Sequence, residues 1–206
     1  RRCGKSSLME TIAEELRESG ITQDNIIYID LDKRGFRNIV TADALEKCID
    51  ERGHAEGLKY LFIDEIQNVK DFETVINGYR TDGGWSIFIT GSNSYLLSGE
   101  LVTKLTGRYL EFEMFPLSFS EYENMKVFYG KSVNANAQAE LTNYILESGF
   151  PRTVLLDDPS DKRKYVQGVK KAVSKAKVKR GLSITGSRAA ESKDAVSKWL
   201  SANGLV

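Results

Sequence analysis

The chain has 206 residues, and its 29 basic and 29 acidic side chains give a formal net charge of zero at pH 7. Hydrophobic residues at 41% and charged residues at 28% describe ordinary globular composition, which excludes fibrous and wholly disordered classes and leaves room for one large or two small domains. No run approaches the ~18 apolar residues of a membrane-crossing helix, and Cys3 and Cys48 form no disulfide or metal pattern, which suits a reducing cytoplasmic setting.

In chain order, residues 6–19 (SSLMETIAEELRES) place Leu8, Ile12 and Leu16 on one helical face, and Gly20 supplies the stop. Residues 25–32 (NIIYIDLD) predict a buried strand, and residues 41–52 a helix capped by Thr41. Residues 59–67 (KYLFIDEIQ) read as a strand with an acidic end, and 69–80 as a helix. Residues 83–93 (GGWSIFITGSN) read as a turn into a buried strand, and 94–105 as a helix. Residues 107–119 alternate early and are interrupted by Pro116. Strands that are apolar throughout, alternating with helices, predict a parallel sheet covered on both faces. Beyond residue 120 the strand pattern stops and a small helical region is expected. From Lys162 to Arg180 the basic residues Lys162, Arg163, Lys164, Lys170, Lys171, Lys175, Lys177, Lys179 and Arg180 occur with no acidic one. The plainer reading is a solvated helical face; the sharper one is a nucleic-acid contact.

The chain opens inside a phosphate-binding pattern. Gly4-Lys5-Ser6 fill the last three places of G-x-x-x-x-G-K-[ST], followed by the amphipathic helix the motif needs, while the leading glycine would stand before Arg1. Glycine lets backbone amides approach a phosphate, and amides at a helix start add donors and the positive dipole end. Arg2, Cys3, Gly4, Lys5, Ser6 and Ser7 are therefore the candidate nucleotide-binding stretch. Lys5 is expected to reach the β- and γ-phosphates and Ser6 to ligate Mg²⁺. About 60 residues later, YLFIDEIQ has the form of a Walker B strand. Asp64 is expected to hold Mg²⁺ through the metal's water shell, and Glu65 to activate the attacking water as general base. A glutamate directly after that aspartate points to hydrolysis rather than phosphoryl transfer to a small molecule. No N-K-x-D motif for guanine is present, so ATP is the expected nucleotide. In IFITGSNS, Ser92 and Asn93 are candidate γ-phosphate sensors, against the alternative that both cap a strand-to-helix turn; sensing is favoured for Ser92, and the two readings stand level for Asn93. Arg108 is a candidate arginine finger toward its own or a neighbouring subunit, against the alternative of a surface arginine. His54 reads as a bystander.

Together RRCGKSSL, LFIDEIQNV, FITGSNSYLLSGE, LTGRYLEFEMFPLSFSEY and LTNYILESGFPRTVLLDD resemble the predicted AAA-like ATPases of archaea and bacteria, over about residues 1–168. The resemblance implies an ASCE-type P-loop NTPase fold. It assigns 1–120 to nucleotide binding, 121–168 to a helical lid or winged-helix-like region, and 169–206 to the remnant of a C-terminal α/β domain similar to restriction endonucleases. In that remnant the stretch joining Val169 to the tail is missing, as are a nuclease centre's acidic residues and lysine. The expectation is a partial reading of a longer protein, missing its start and a segment near residues 169–172. Three functions compete: a Mg²⁺-dependent ATPase, a nucleotide-dependent switch that recruits a partner such as DNA, and, with least support, a nuclease. Oligomeric state and macromolecular partner stay open, and no membrane partner is expected.

Overall fold

The computed structural model describes residues 2–91, 109–110, 112 and 114–178, and the chain divides into two compact units, Arg1–Pro116 and Leu117–Val206. The predicted helix over 94–105, most of 107–113 and the tail from 179 lie outside the described residues.

The first unit runs α1 (Lys5–Glu18), β1 (Ile26–Asp30), α2 (Ala42–Asp50), β2 (Lys59–Asp64), α3 (Phe72–Asp82) and β3 (Trp85–Ile89). The three strands are parallel in the order β1-β2-β3, with Tyr28 opposite Phe62 and Phe62 opposite Phe88. Side chains alternate across a strand, so each strand feeds both faces. Ile27, Ile29, Leu31, Leu61 and Ile63 pack with Leu45, Ile49, Phe72 and Ile76 of α2 and α3 on one face. Ile26 and Phe62 pack with Met9 and Ala13 of α1 on the other. Right-handed crossovers between neighbouring parallel strands put α2 and α3 on the same side. On the α1 side the rings of Tyr28, Phe62 and Phe88 stack across the sheet, with centroids 5.7 and 4.7 Å apart. Full burial of one such ring contributes roughly 1.5–3 kcal/mol.

Three local readings change. The packed stripe of α1 is Met9 and Ala13 with Ile12 and Leu16 beside them, whereas Leu8 is 43% exposed at its margin. The second strand stops at Asp64: Glu65 turns left-handed (φ 58°) and residues 66–68 form a single 3-10 turn. The third helix starts at Phe72, because Asp71 is itself left-handed (φ 56°). Gly20 does end α1: its φ of 95° lets its amide reach Arg17 O at 3.0 Å and that of Ile21 reach Leu16 O at 3.0 Å. Thr41 caps α2 by accepting from Ala44 N.

In the second unit the regular elements among the described residues are helices: α4 (Phe119–Phe128), α5 (Ala137–Glu147), α6 (Pro151–Leu155) and α7 (Pro159–Val178). Ser118 and Glu121 form a reciprocal capping box at the start of α4. Gly149 follows α5 because a Cβ there would meet Leu117 O at 2.6 Å. The interior holds Tyr122, Val154, Val166 and Val169 together with a charged pair, Lys126 and Glu140, 2.5 Å apart. Burial alone would raise the Glu140 carboxyl, but the Lys126 ammonium and the Asn134 amide (2.9 Å) outweigh it and hold it below its ordinary value. Among the described residues no helix is long and apolar enough to cross a membrane.

Candidate functional site

Parallel strands aim their carboxyl ends the same way, and the loops after them gather at one edge of the sheet. Asp30, Asp64 and Thr90 all arrive there. Asp30 and Asp64 are register partners, and Leu31 N bonds Asp64 O at 3.3 Å. Counting by twos from Phe62 and Phe88 places Asp64 and Thr90 on the face covered by α1.

The N-terminus of α1 meets the same edge. Gly4 is the residue before the helix, at φ 93°, a conformation glycine adopts without steric cost. Arg2 also has a positive φ, 63°. The first intrahelical bond is Leu8 N to Gly4 O at 2.9 Å, and no side chain caps the helix. The amides of Lys5, Ser6 and Ser7 therefore make no intrahelical bond. The hydroxyl-bearing residues Ser6 and Ser7 are exposed, and Cys3 is half-buried. The Lys5 ammonium crosses to the sheet and donates to Gly91 O at 2.5 Å, just past the end of β3. The lysine of the first motif and the end of the third strand thus meet, although 86 residues separate them.

Asp64 is only 4% exposed. Its Oδ1 accepts a hydrogen bond from the Thr90 hydroxyl, and that hydroxyl accepts one from Glu65 N at 3.2 Å. Thr90 is also bonded through its backbone, its amide to Ile63 O at 3.0 Å and its carbonyl to Ile66 N at 2.9 Å. One threonine therefore ties the Asp64 side chain to the amide of Glu65. This brace matters because Glu65 sits in a left-handed conformation costing a non-glycine residue of order 1–3 kcal/mol. The Glu65 carboxylate is half-buried and accepts from Gln67 Nε2. Asp30 accepts from Asp32 N at 3.0 Å and pairs with Lys33 at 3.4 Å. Nearby, Tyr28 directs its hydroxyl at Ser6 O, 3.5 Å away. Its burial, then the carboxylates of Asp64, Glu10 and Asp30, push its phenol well above the usual range, so it stays neutral.

Of the residues singled out in the sequence, Lys5, Asp64 and Glu65 come together at this edge, with Gly4, Ser6 and Ser7 at the head of α1. Ser92, Asn93 and Arg108 lie outside the described residues. The sequence alone does not single out Thr90, Asp30 or the Gly91 carbonyl. The signal for Thr90 was present: in IFIT it falls two places after Phe88, as Asp64 does after Phe62.

Among the described residues no three His, Cys, Asp or Glu side chains cluster as a metal cage. The donors at hand, a serine hydroxyl and one buried carboxylate, suit a hard cation that keeps most of its own water and takes phosphate oxygens.

A three-stranded parallel sheet with helices on both faces, and a G-K-S helix start facing an acidic strand end, define a P-loop NTPase-like α/β protein. Residues 1–123 match the model of a family described as AAA domain, and the chain belongs to that family. It is 36% identical over 165 residues to an uncharacterized protein of Haemophilus influenzae, covering 77% of this chain and 40% of that protein. It is also 36% identical over 156 residues to an uncharacterized protein of Methanocaldococcus jannaschii, covering 71% of this chain and 35% of that one. The chain thus spans less than half the length of these relatives.

Proposed function

We propose that this chain carries the nucleotide site of an AAA-like ATPase that binds ATP with Mg²⁺ and hydrolyses it. The observation that carries the reading is the meeting of Lys5 with the carboxyl end of β3, at the sheet edge that also holds a buried Asp64 and a Glu65 in a left-handed turn. In this reading the α1 amides and the Lys5 ammonium, released from the Gly91 carbonyl, bind the β- and γ-phosphates. Ser6 and Asp64 hold Mg²⁺, which when bound neutralises charge on the phosphate oxygens. Glu65 takes the proton from the attacking water, and the Thr90 hydroxyl fixes both acidic residues in place. Arg2, Cys3, Gly4 and Ser7 shape the loop. Ser92 or Asn93 would sense the γ-phosphate, and Arg108 would meet it in its own or a neighbouring subunit. Residues 1–120 form the nucleotide domain, 121–168 a helical lid and 169–206 the remnant of a further domain. The work coupled to turnover is cytoplasmic.

A second reading, a nucleotide-dependent switch, is supported by the bond from Gln67 to the Glu65 carboxylate, which occupies the proposed base. ATP binding and hydrolysis measured on the native chain, Lys5→Ala and Glu65→Gln separate the two. The ATPase reading expects turnover in the native chain, binding without turnover in Glu65→Gln, and neither in Lys5→Ala. Tight binding without turnover in the native chain would favour the switch, and no ATP binding at all would defeat both.

A further inference from the structure

Helix α7 of the second unit has two unlike sides. Val166 and Val169 are buried, at 4% and 3% exposure, Tyr165 is half-buried beside them, and Lys162 bonds Glu147 at 2.6 Å. On the opposite side Arg163, Lys164, Gln167, Lys170 and Lys171 are all exposed. At 100° per residue these five fall within one stripe that returns every turn, and at ~1.5 Å per residue it runs about 12 Å from Arg163 to Lys171. The helix continues to Val178, and the sequence adds Lys175 four places after Lys171.

Of the acidic groups near this stripe, one pairs with a member of it, Asp161 with Lys164, and the others are engaged elsewhere. On α5, Glu140 is paired with Lys126, and Glu147 with Lys162 and the Tyr122 hydroxyl. At the start of α7, Asp157 pairs with Lys131, Asp158 accepts from the amides of Ser160 and Asp161, and Asp161 pairs with Lys164. On α6 the charged residue is another cation, Arg152, exposed. Among the described residues Arg163, Lys170 and Lys171 enter no ion pair.

We propose that this face of α7 is a docking surface for the phosphate backbone of duplex nucleic acid. Charge complementarity argues for a polyanion, since the stripe offers three unpaired cations and no carboxylate. A membrane surface is disfavoured because a helix lying in a bilayer interface must immerse its apolar side. Here that side is occupied by the helix's own unit. A single strand is disfavoured because the stripe has no aromatic side chain on which bases could stack. Cations in a line contact phosphates and read no sequence, so binding is sequence-independent and salt-sensitive. This inference stands independently of the ATPase reading.

Fluorescence anisotropy of a labelled duplex of about 20 base pairs, titrated with the full 206-residue chain, reads it directly. Three phosphate contacts, each contributing about −0.9 to the log–log salt slope, predict an affinity about 40-fold weaker at ~200 mM than at ~50 mM salt. Arg163→Ala, Lys170→Ala and Lys171→Ala should each lower that slope by about 1, and the triple variant should abolish binding. Lys47→Ala, an exposed lysine on α2, should leave binding unchanged. Circular dichroism verifies folding, and a triple glutamine variant replaces the alanine one if the helix is lost. The proposal is overturned by no duplex binding at ~50 mM salt, by a folded triple variant that binds like the native chain, or by equal loss in Lys47→Ala. It is also overturned if phosphatidylserine–phosphatidylcholine vesicles, and not the duplex, are bound through the same three residues. Equal binding of a duplex RNA would support it and widen the ligand.

Discussion

Glu140 in the helical unit and Asp64 at the edge of the sheet are both shut off from water, at 1% and 4% exposure, yet they are held differently. Glu140 has its own cation, Lys126, and a backbone amide from Asn134. Asp64 has a hydroxyl from Thr90 and, among the described residues, no cationic side chain in ion-pair contact. A buried charge without a counter-charge costs stability, so the chain retains at Asp64 an arrangement it resolves completely at Glu140. The difference separates a carboxylate that completes a fold from one that, in the proposed ATPase reading, receives a cation from outside. Such positions are where local rules of stability yield to function.

That contrast can be broken at its stronger end first. Lys126→Met leaves Glu140 buried and unpaired, and should cost about 3–5 kcal/mol in urea unfolding followed by circular dichroism. Replacing both partners by apolar residues should recover most of it. The same pair predicts an acid limb. Because Glu140 titrates below its ordinary 4.5 in the folded chain, its contribution is full above that value and is lost as pH falls through the lower folded value. Unfolding midpoints taken from neutral pH downward should show this fall, and Lys126→Met should flatten it.

At the sheet edge the effects are smaller. Thr90→Val removes the partner of both the Asp64 carboxylate and the Glu65 amide, and should cost about 1–3 kcal/mol. Thr90→Ser keeps the hydroxyl and should cost under about 1 kcal/mol, roughly one buried methyl. Asp64→Asn keeps an acceptor for Thr90 and deletes the charge. Its stability should match the native chain or exceed it by up to about 1 kcal/mol. Equal losses in Asp64→Asn and Lys126→Met would erase the distinction between the two carboxylates.

The sheet was legible because its strands are short apolar runs rich in β-branched and aromatic residues and too short for helices, and because G-K-S and I-D-E mark what stands at their ends. Register was not legible, and register makes Thr90 a neighbour of Asp64, whereas the more conspicuous polar residues after β3 are Ser92 and Asn93. Nor did composition reveal that Glu65 leaves the strand, since a left-handed glutamate is held by tertiary bonds from Thr90 rather than by its own preference. Leu8 misled because helical spacing locates a stripe but not its centre; the sheet chose Met9 and Ala13. In the helical unit the Lys126–Glu140 pair escaped notice, because a buried charge and a surface one are written with the same letters.

In the proposed reading the edge carrying Asp64 takes its counter-charge from a metal–nucleotide complex. The most direct measurement is the thermal midpoint of the native chain and of Asp64→Asn with ATP, in the presence of Mg²⁺ or of a chelator. Ligand binding to the folded state alone raises that midpoint. The midpoint should rise more with ATP and Mg²⁺ than with ATP and chelator, and the Mg²⁺-dependent part should disappear in Asp64→Asn. An unchanged midpoint, or a Mg²⁺-dependent rise that survives intact in Asp64→Asn, would contradict that reading.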